Sequence, residues 1–391
     1  MYKKILILMS DTGGGHRAAA QAIEEAIHHL CPNQFEVVIE DIWIDHTRWP
    51  LNRLPNAYPW LSDSGTRWWL LIWNASKRRR LRHSVLRTAN LLVQRKIVRL
   101  LNELQPDIVV SVHPAMTYLA ARWVEHAHIN APFYTVVTDM VTVHPAWVYP
   151  EVAGCMVSTP PARDQAIAYG ISPDKVAVCG QPVGLKFARL AGEKQELRQQ
   201  LNMDRTRPAV LIVGGGEGIG RVYDIAREIA QRVPQAQLIV VAGRNKELKQ
   251  RLENVAWEIP AHIFGFVHNM PELMGAADIL ITKGGPGTIS EAFIAGLPVI
   301  ISGYIPGQEA GNVQYVLENE AGAYATEPTE IATLVHDWLT PGNETLTRMM
   351  QNAARLARPN ASLEIARHIC GLTENPETVR RETVMLSGVR P

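Results

Sequence analysis

Three groups of residues in this sequence have the types and spacing to do chemistry. The first runs Ile279-Leu280-Ile281-Thr282-Lys283-Gly284-Gly285-Pro286-Gly287-Thr288-Ile289-Ser290-Glu291. An apolar run ends there in a glycine-rich turn and helix-prone residues follow, so the stretch reads as strand, tight loop, helix. Gly285, Pro286, Gly287 and Thr288 let the backbone approach an anion closely. The free N–H groups and positive end of the new helix can then hold a diphosphate without a metal. Glu291, about one helical turn further on, has a carboxylate that could accept two ribose hydroxyls. Gln308, Glu309 and Asn312 follow the next apolar run, and polar groups at successive strand ends are where open α/β sheets bind ligands. An ordinary strand-to-helix turn would use the same glycines, but it would not need Glu291 or those polar residues.

The second group is Ser10-Asp11-Thr12-Gly13-Gly14-Gly15-His16-Arg17, again between an apolar run and an alanine-rich helix. It lacks the G-x-G-x-x-G spacing with an acidic partner that marks a dinucleotide site, and the Lys-Ser/Thr of a P-loop. His16 at the helix start has its pKa pulled down by the dipole, which favours the neutral form that accepts a proton. A general base on an alcohol is one reading of His16 and a helix-capping histidine is the other. Asp139, after Val137-Thr138, is placed to orient a histidine or a substrate hydroxyl, or to cap a turn. His113-Pro114 ends the preceding strand in the same way and is a weaker candidate. Gly214-Gly215-Gly216-Glu217-Gly218 forms a further backbone-donor turn, and Phe266 sits at a strand end where a nucleobase could stack.

The third group differs in character. Trp43, Trp49, Trp60, Trp68, Trp69 and Trp73 crowd one segment, and no acidic residue occurs from Ser64 to Asn102. Arg67, Lys77, Arg78, Arg79, Arg80, Arg82, Arg87, Arg95, Lys96 and Arg99 lie in that span. Tryptophans favour the membrane interface, and each cation near an anionic surface contributes on the order of 1 kcal/mol. A flap at about 43–101 that binds an anionic membrane through Trp68, Trp69, Trp73, Arg78, Arg79, Arg80 and Arg82 is the sharp expectation. Nucleic acid would also accept basic residues among aromatics, and the plain alternative is a long helix with tryptophans in the core. Trp68-Trp69-Leu70-Leu71-Ile72-Trp73 is too apolar for a water-facing helix and favours the membrane.

The elements that must position these residues alternate regularly. Apolar runs at 4–9, 35–40, 107–112, 133–138, 153–158 and 175–179 predict a first sheet, and runs at 209–213, 237–242, 262–266, 278–282 and 298–301 a second. Helical segments separate them, including Glu193 to Asn202, which argues for parallel sheets covered on both faces. The expected organisation is α/β: a Rossmann-like domain over 1–185, a second over 186–373 facing it across a cleft, and a loose tail over 374–391.

Composition removes several classes. The chain has 391 residues and a net charge of +1, so whole-protein electrostatics predict no nucleic-acid partner. Cys31, Cys155, Cys179 and Cys370 are scattered, without C-x-x-C or histidine at ligand spacing, so metal or disulfide use is not expected. The opening apolar run is too short for a signal peptide, and no stretch is long enough to span a bilayer.

The segments TGGGHRAAA (Thr12 to Ala20), VTDMVTVHPAW (Val137 to Trp147), GGGEG (Gly214 to Gly218), GRNK (Gly243 to Lys246), ITKGGPGTISE (Ile281 to Glu291) and GYIPGQEAGN (Gly303 to Asn312) together resemble those of monogalactosyldiacylglycerol synthases. These are GT-B glycosyltransferases related to the peptidoglycan lipid-II N-acetylglucosaminyltransferase. The resemblance implies inverting, metal-independent transfer of galactose from UDP-galactose to 1,2-diacylglycerol, with UDP-sugar as substrate and no cofactor. It further implies that His16 is the base, that Gly285 to Thr288 hold the diphosphate and Glu291 the ribose, and that Phe266 neighbours uracil. Gln308, Glu309 and Asn312 would meet the donor sugar, and Asp139 matches a family aspartate. Plant members carry a chloroplast transit peptide. This chain starts at its first strand, as a bacterial protein would, and is expected peripherally on the cytoplasmic face of the membrane. Plant enzymes are linked to activation by anionic lipids, which the basic cluster Arg78 to Arg82 makes plausible here. A diacylglycerol glucosyltransferase using UDP-glucose, a UDP-sugar 2-epimerase and a non-catalytic nucleotide-sugar or lipid-binding protein are the alternative expectations.

Overall fold

The computed structural model describes residues 2–11, 14–47, 51–53, 65–189, 193–216, 218 and 220–372. Thr12, Gly13, Trp49, Trp60, Glu217 and the expected tail at 374–391 lie outside the described residues, as does the side chain of Arg79. The described chain divides into two compact units. One runs up to Leu185 and adds Pro306–Gly311 and the chain from Asn360. The other comprises Lys186–Ile305 and Asn312–Pro359.

In the first unit, strands β1 (Lys3–Met9), β2 (Phe35–Asp41), β3 (Ile108–Ser111), β4 (Phe133–Val136), β5 (Gly154–Val157) and β6 (Val176–Val178) form one sheet in the order β2-β1-β3-β4-β5-β6. Every pairing is parallel, with Ile5 opposite Val37 on one side and opposite Ile108 on the other. Ile5 through Met9 are all buried, as expected of a strand covered on both faces. Because β2 and β3 lie on opposite sides of β1, their connections leave in opposite directions. That reversal opens a crevice at the C-terminal ends of β1 and β3.

In the second unit, β7 (Ala209–Val213), β8 (Gln237–Val241), β9 (Ala261–Phe264), β10 (Ile279–Lys283), β11 (Val299–Gly303) and β12 (Gly322–Tyr324) are ordered β12-β11-β10-β7-β8-β9, all parallel. This is the doubly wound dinucleotide-fold order, and its reversal lies between β7 and β10. β12, only three residues long at the sheet edge, was not expected from the sequence. Asp278 anchors the start of β10: its carboxylate accepts from Ala209 N at 2.7 Å and from Lys194 Nζ at 2.6 Å, and pairs with buried Arg198.

The expected boundary near 185 coincides with the end of the first stretch, but the expected 186–373 domain requires correction. The helix Ala361–Cys370 packs on the helix Gly15–Leu30 of the first unit, burying Leu363, Ile365, Ala366 and Ile369. Ser362 Oγ locks it there by donating to Val183 O at 2.6 Å and accepting from Val183 N at 3.0 Å. An apolar helix face announces that it will be buried; it does not announce on which sheet.

Candidate active site

In the first unit the crevice between β1 and β3 is occupied by His16. It is the second residue of the helix Gly15–Leu30, which begins after Gly14 in the left-handed region (φ 80°), with no side chain capping its first turn. His16 Nδ1 lies 2.7 Å from Val112 O and 3.1 Å from Thr138 Oγ1. A backbone carbonyl can only accept, so Nδ1 carries the proton and Nε2 presents its lone pair. Burial lowers the His16 pKa to about 4, against the raising influence of the Val112 carbonyl and Asp11. His16 is therefore neutral at physiological pH.

Two neighbours hold the ring. His113 meets it edge-on with centroids 4.5 Å apart, and the Trp147 indole lies 6.2 Å away. His113 Nδ1 accepts from Ala115 N at 3.2 Å and caps the helix Pro114–His126. Burial and the adjacent His16 keep its pKa well below the usual histidine value. Sequence reasoning ranked His113 low; its signal was the position at the end of the strand that neighbours β1.

Asp139 is buried, but His16 is oriented by a main-chain carbonyl instead. The Asp139 carboxylate accepts from Trp147 Nε1 at 2.7 Å and from Gln308 Nε2 at 3.3 Å. Burial raises its pKa to about 6, while the hydrogen bonds from Trp147 and Gln308 hold it down. Asp139 thus fixes the tryptophan beside His16 and ties Gln308, which belongs to the same unit, to the strand end. Glu309 is also buried in this unit.

The aromatic helix Thr66–Lys77 turns two different faces. Trp73 is buried, with its ring 4.6 Å from that of His144, and a Cβ on Gly307 (φ 85°) would fall 2.5 Å from Trp73 Cδ1. His144 Nδ1 accepts from Ala146 N, so its Nε2–H faces Ser76 Oγ at 3.1 Å, and Ser76 donates onward to Trp73 O at 2.9 Å. The expectation that Trp73 faces a membrane is therefore corrected: spacing alone does not say which side of this all-round apolar helix meets the core. Trp69 is half-buried, 6.0 Å from Trp73. Trp68, Leu71 and Ile72, one helical face, are exposed by 63%, 62% and 51%. Arg78, at the C-terminal end of this helix, and Arg80 are exposed. The Arg82 guanidinium donates to Ser76 O and Lys77 O, both at 3.2 Å, and caps the helix end.

In the second unit the loop after β10 enters the helix Pro286–Ile294 with Gly285 at the N-cap, no capping side chain and no acidic residue in the first turn. Pro286 has no N–H, which leaves those of Gly287 and Thr288 as the first donors at the helix start. Glu291 sits on the same helix, half-buried, with its pKa raised to about 7 by burial against the opposing Lys186. Asn312 Nδ2 donates to Gly284 O at 2.8 Å, while its buried Oδ1 has no partner among the described residues.

The loops after β7 and β8 interlock. Arg244 N donates to Gly216 O at 2.8 Å, and a Cβ on Gly243 (φ 60°) would fall 2.4 Å from that carbonyl. Gly218 is also left-handed (φ 60°), and a Cβ there would come within 2.1 Å of Ala242 O. A Gly218→Ala variant is expected to lose roughly 2–4 kcal/mol from combined strain and overlap, measured by denaturant unfolding. Gly214 and Gly215 complete the turn. Phe266 is exposed, with the Arg244 guanidinium 4.6 Å from its ring centroid. Among the described residues no three His, Cys, Asp or Glu side chains are grouped to hold a metal ion.

Residues 16–183 match the family described as monogalactosyldiacylglycerol (MGDG) synthase, and residues 209–366 the glycosyltransferase family 28 C-terminal domain. The chain is 42% identical over 372 residues to monogalactosyldiacylglycerol synthase 1, chloroplastic, of Arabidopsis thaliana, covering 93% of this chain and 70% of that one. It is 41% identical over 388 residues to the chloroplastic monogalactosyldiacylglycerol synthase of Spinacia oleracea, covering 97% and 74%. The chain belongs to the monogalactosyldiacylglycerol synthase family. It is a glycosyltransferase, as the sequence motifs implied. The crystal structure of Acinetobacter baumannii MurG shares the fold with a TM-score of 0.61 at 16% identity, covering 95% of this chain and 100% of that one. The two-sheet α/β organisation is thus the GT-B fold expected of the family.

Proposed function

We propose that this glycosyltransferase moves galactose from UDP-galactose to the free hydroxyl of 1,2-diacylglycerol, with inversion at the anomeric carbon and without a metal. The observation that carries this reading is the agreement with synthases of that name along nearly the whole chain. His16 Nε2 takes the proton of the acceptor hydroxyl while Val112 O keeps the other nitrogen protonated. As the acceptor oxygen bonds to the anomeric carbon, the bond to the diphosphate breaks and its electron pair stays on UDP. The N–H groups of Gly287 and Thr288 take up that charge, Glu291 accepts the ribose hydroxyls, and Phe266 supports uracil. Asn312 Oδ1, a buried acceptor, suits a sugar hydroxyl, with Gln308 and Glu309 also assigned to the donor sugar. Asp139 acts as a positioning residue through Trp147 and Gln308.

The acceptor is a lipid, and Trp68, Leu71 and Ile72 with the exposed Arg78 and Arg80 supply an interfacial face for an anionic bilayer. No helix of the described residues is long and apolar enough to cross a membrane. Peripheral attachment at the cytoplasmic face and response to anionic lipid complete the proposal.

The test is a transfer assay with purified protein and diacylglycerol in anionic vesicles, offering labelled UDP-galactose and UDP-glucose separately. A β-galactosyl lipid is the expected product. A glucosyl lipid would move the donor specificity, and no glycolipid from either donor would sink the reading. The acid side of the pH profile separates the two ionisable groups. Glu291 must be ionised to accept two hydroxyls, so kcat/KM for the donor rises as pH increases through about 7. His16 is already neutral above about 4 and adds no limb near the ordinary histidine value.

A further inference from the structure

The crevice between β7 and β10 holds one group that the donor-site reading has not used. β11 carries an extra residue, Ser302, opposite the Thr282–Lys283 step of β10: Thr282 pairs with Ile301, but Lys283 pairs with Gly303. Ser302 Oγ donates to Thr282 O at 3.2 Å and secures the irregularity. Such a bulge at a strand end re-aims the side chain that follows it. Lys283 is half-buried and reaches sideways across the crevice, so that a Cβ built on Gly220 would lie 3.5 Å from Lys283 Cε. Gly220 belongs to the loop after β7, and the next residues after Lys283 are the Gly284–Gly287 turn. The lysine therefore spans the reversal point of the sheet, between the loop after β7 and the Gly284–Gly287 turn. Across the same β7 loop, Arg244 Nη1 lies 3.3 Å from the Cβ position of Gly216, and its guanidinium is already stacked on Phe266.

The geometry points to Lys283 as the cation that contacts the diphosphate of the donor and stabilises it as a leaving group. The inference rests on the UDP-sugar reading above and adds a catalytic residue to it. In the ground state the lysine pairs with the charged diphosphate. When the bond from the anomeric carbon to the terminal phosphate oxygen breaks, the electron pair stays on that oxygen and its negative charge grows. A fixed ammonium beside it is then worth more in the transition state than in the bound donor. Backbone N–H groups at a helix start supply only partial charge, so a full positive charge complements them. Arg244, engaged with Phe266, belongs to the nucleoside end and serves as the contrast.

The experiment compares binding of UDP and of uridine, which lacks the phosphates, to wild type, Lys283→Met, Lys283→Arg and Arg244→Met, by calorimetry on the full chain. Lys283→Met is expected to weaken UDP by about 10- to 100-fold, the range for a lost charge-assisted hydrogen bond, and to leave uridine unchanged. Lys283→Arg should recover most of the UDP affinity, and Arg244→Met should weaken both ligands together. In transfer assays kcat should fall in Lys283→Met and return in Lys283→Arg. Equal loss of UDP and uridine in Lys283→Met, or UDP affinity unchanged, would overturn the assignment. Wild type that binds neither ligand would instead overturn the donor-site reading, a result distinguishable from the other two.

Discussion

His16→Ala is expected to lower kcat for galactosyl transfer by roughly 10²–10⁴-fold, the range for loss of a positioned general base, and to leave UDP affinity unchanged. The size follows from the proposed role: His16 Nδ1 is committed to Val112 O, which leaves Nε2 as the atom proposed to accept the proton. Deleting the ring also empties the space between His113 and Trp147, and a second variant separates chemistry from packing. His16→Asn can keep an N–H aimed at Val112 O and supplies no comparable proton acceptor. It should be as inactive as His16→Ala while melting close to wild type. Because the UDP contacts assigned to Glu291 and the Gly285–Thr288 loop belong to the other unit, the loss should lie in kcat, with KM for the donor little changed. Near-normal turnover in His16→Asn would assign the base elsewhere.

The second large effect concerns the lipid surface. Replacing Trp68, Leu71 and Ile72 together with glutamate should reduce partitioning to anionic vesicles by at least about 100-fold. Full burial of each large apolar side chain is worth about 1.5–3 kcal/mol, and the new charges are repelled by the surface. These residues are mostly exposed and face away from Trp73, so unfolding should be unaffected. Sedimentation with vesicles measures the first quantity, and transfer to a short-chain soluble diacylglycerol measures whether the site survives. Vesicle binding equal to wild type would show that this face is not the docking surface. Loss of activity on the soluble acceptor as well would make the helix a part of the site.

The two-sheet pattern and the positions of the two glycine loops, His16 and Glu291 just beyond strand ends were legible because each depends on short-range order. A parallel strand buried on both faces must be an apolar run, as Ile5 to Met9 and Ile279 to Thr282 are. A turn that lays bare backbone to an anion must be glycine-rich, and a side chain one turn into the following helix returns to the same edge. Trp73 was misread because a six-residue apolar run has no polar side to orient it. Its partners Gly307 and His144 are remote in sequence, and only packing pairs them. The helix Ala361–Cys370 was given to the wrong unit for the same reason. Its docking depends on a hydrogen-bond exchange between Ser362 and Val183, a separation no local pattern reports.

From the sequence alone came the chemical types present, the strand ends that carry them and the family to which their combination belongs. The tertiary structure decided which atoms meet. It chose the Val112 carbonyl over Asp139 as the partner of His16, because β3 lies beside β1 and Asp139 is taken by Trp147 and Gln308. It also turned Lys283 toward Gly220 through an extra residue in a neighbouring strand. Residue type and local spacing are set along the chain, whereas hydrogen-bond choice, tautomer and burial are set by strand order and by what packs alongside, which arise only when distant segments meet.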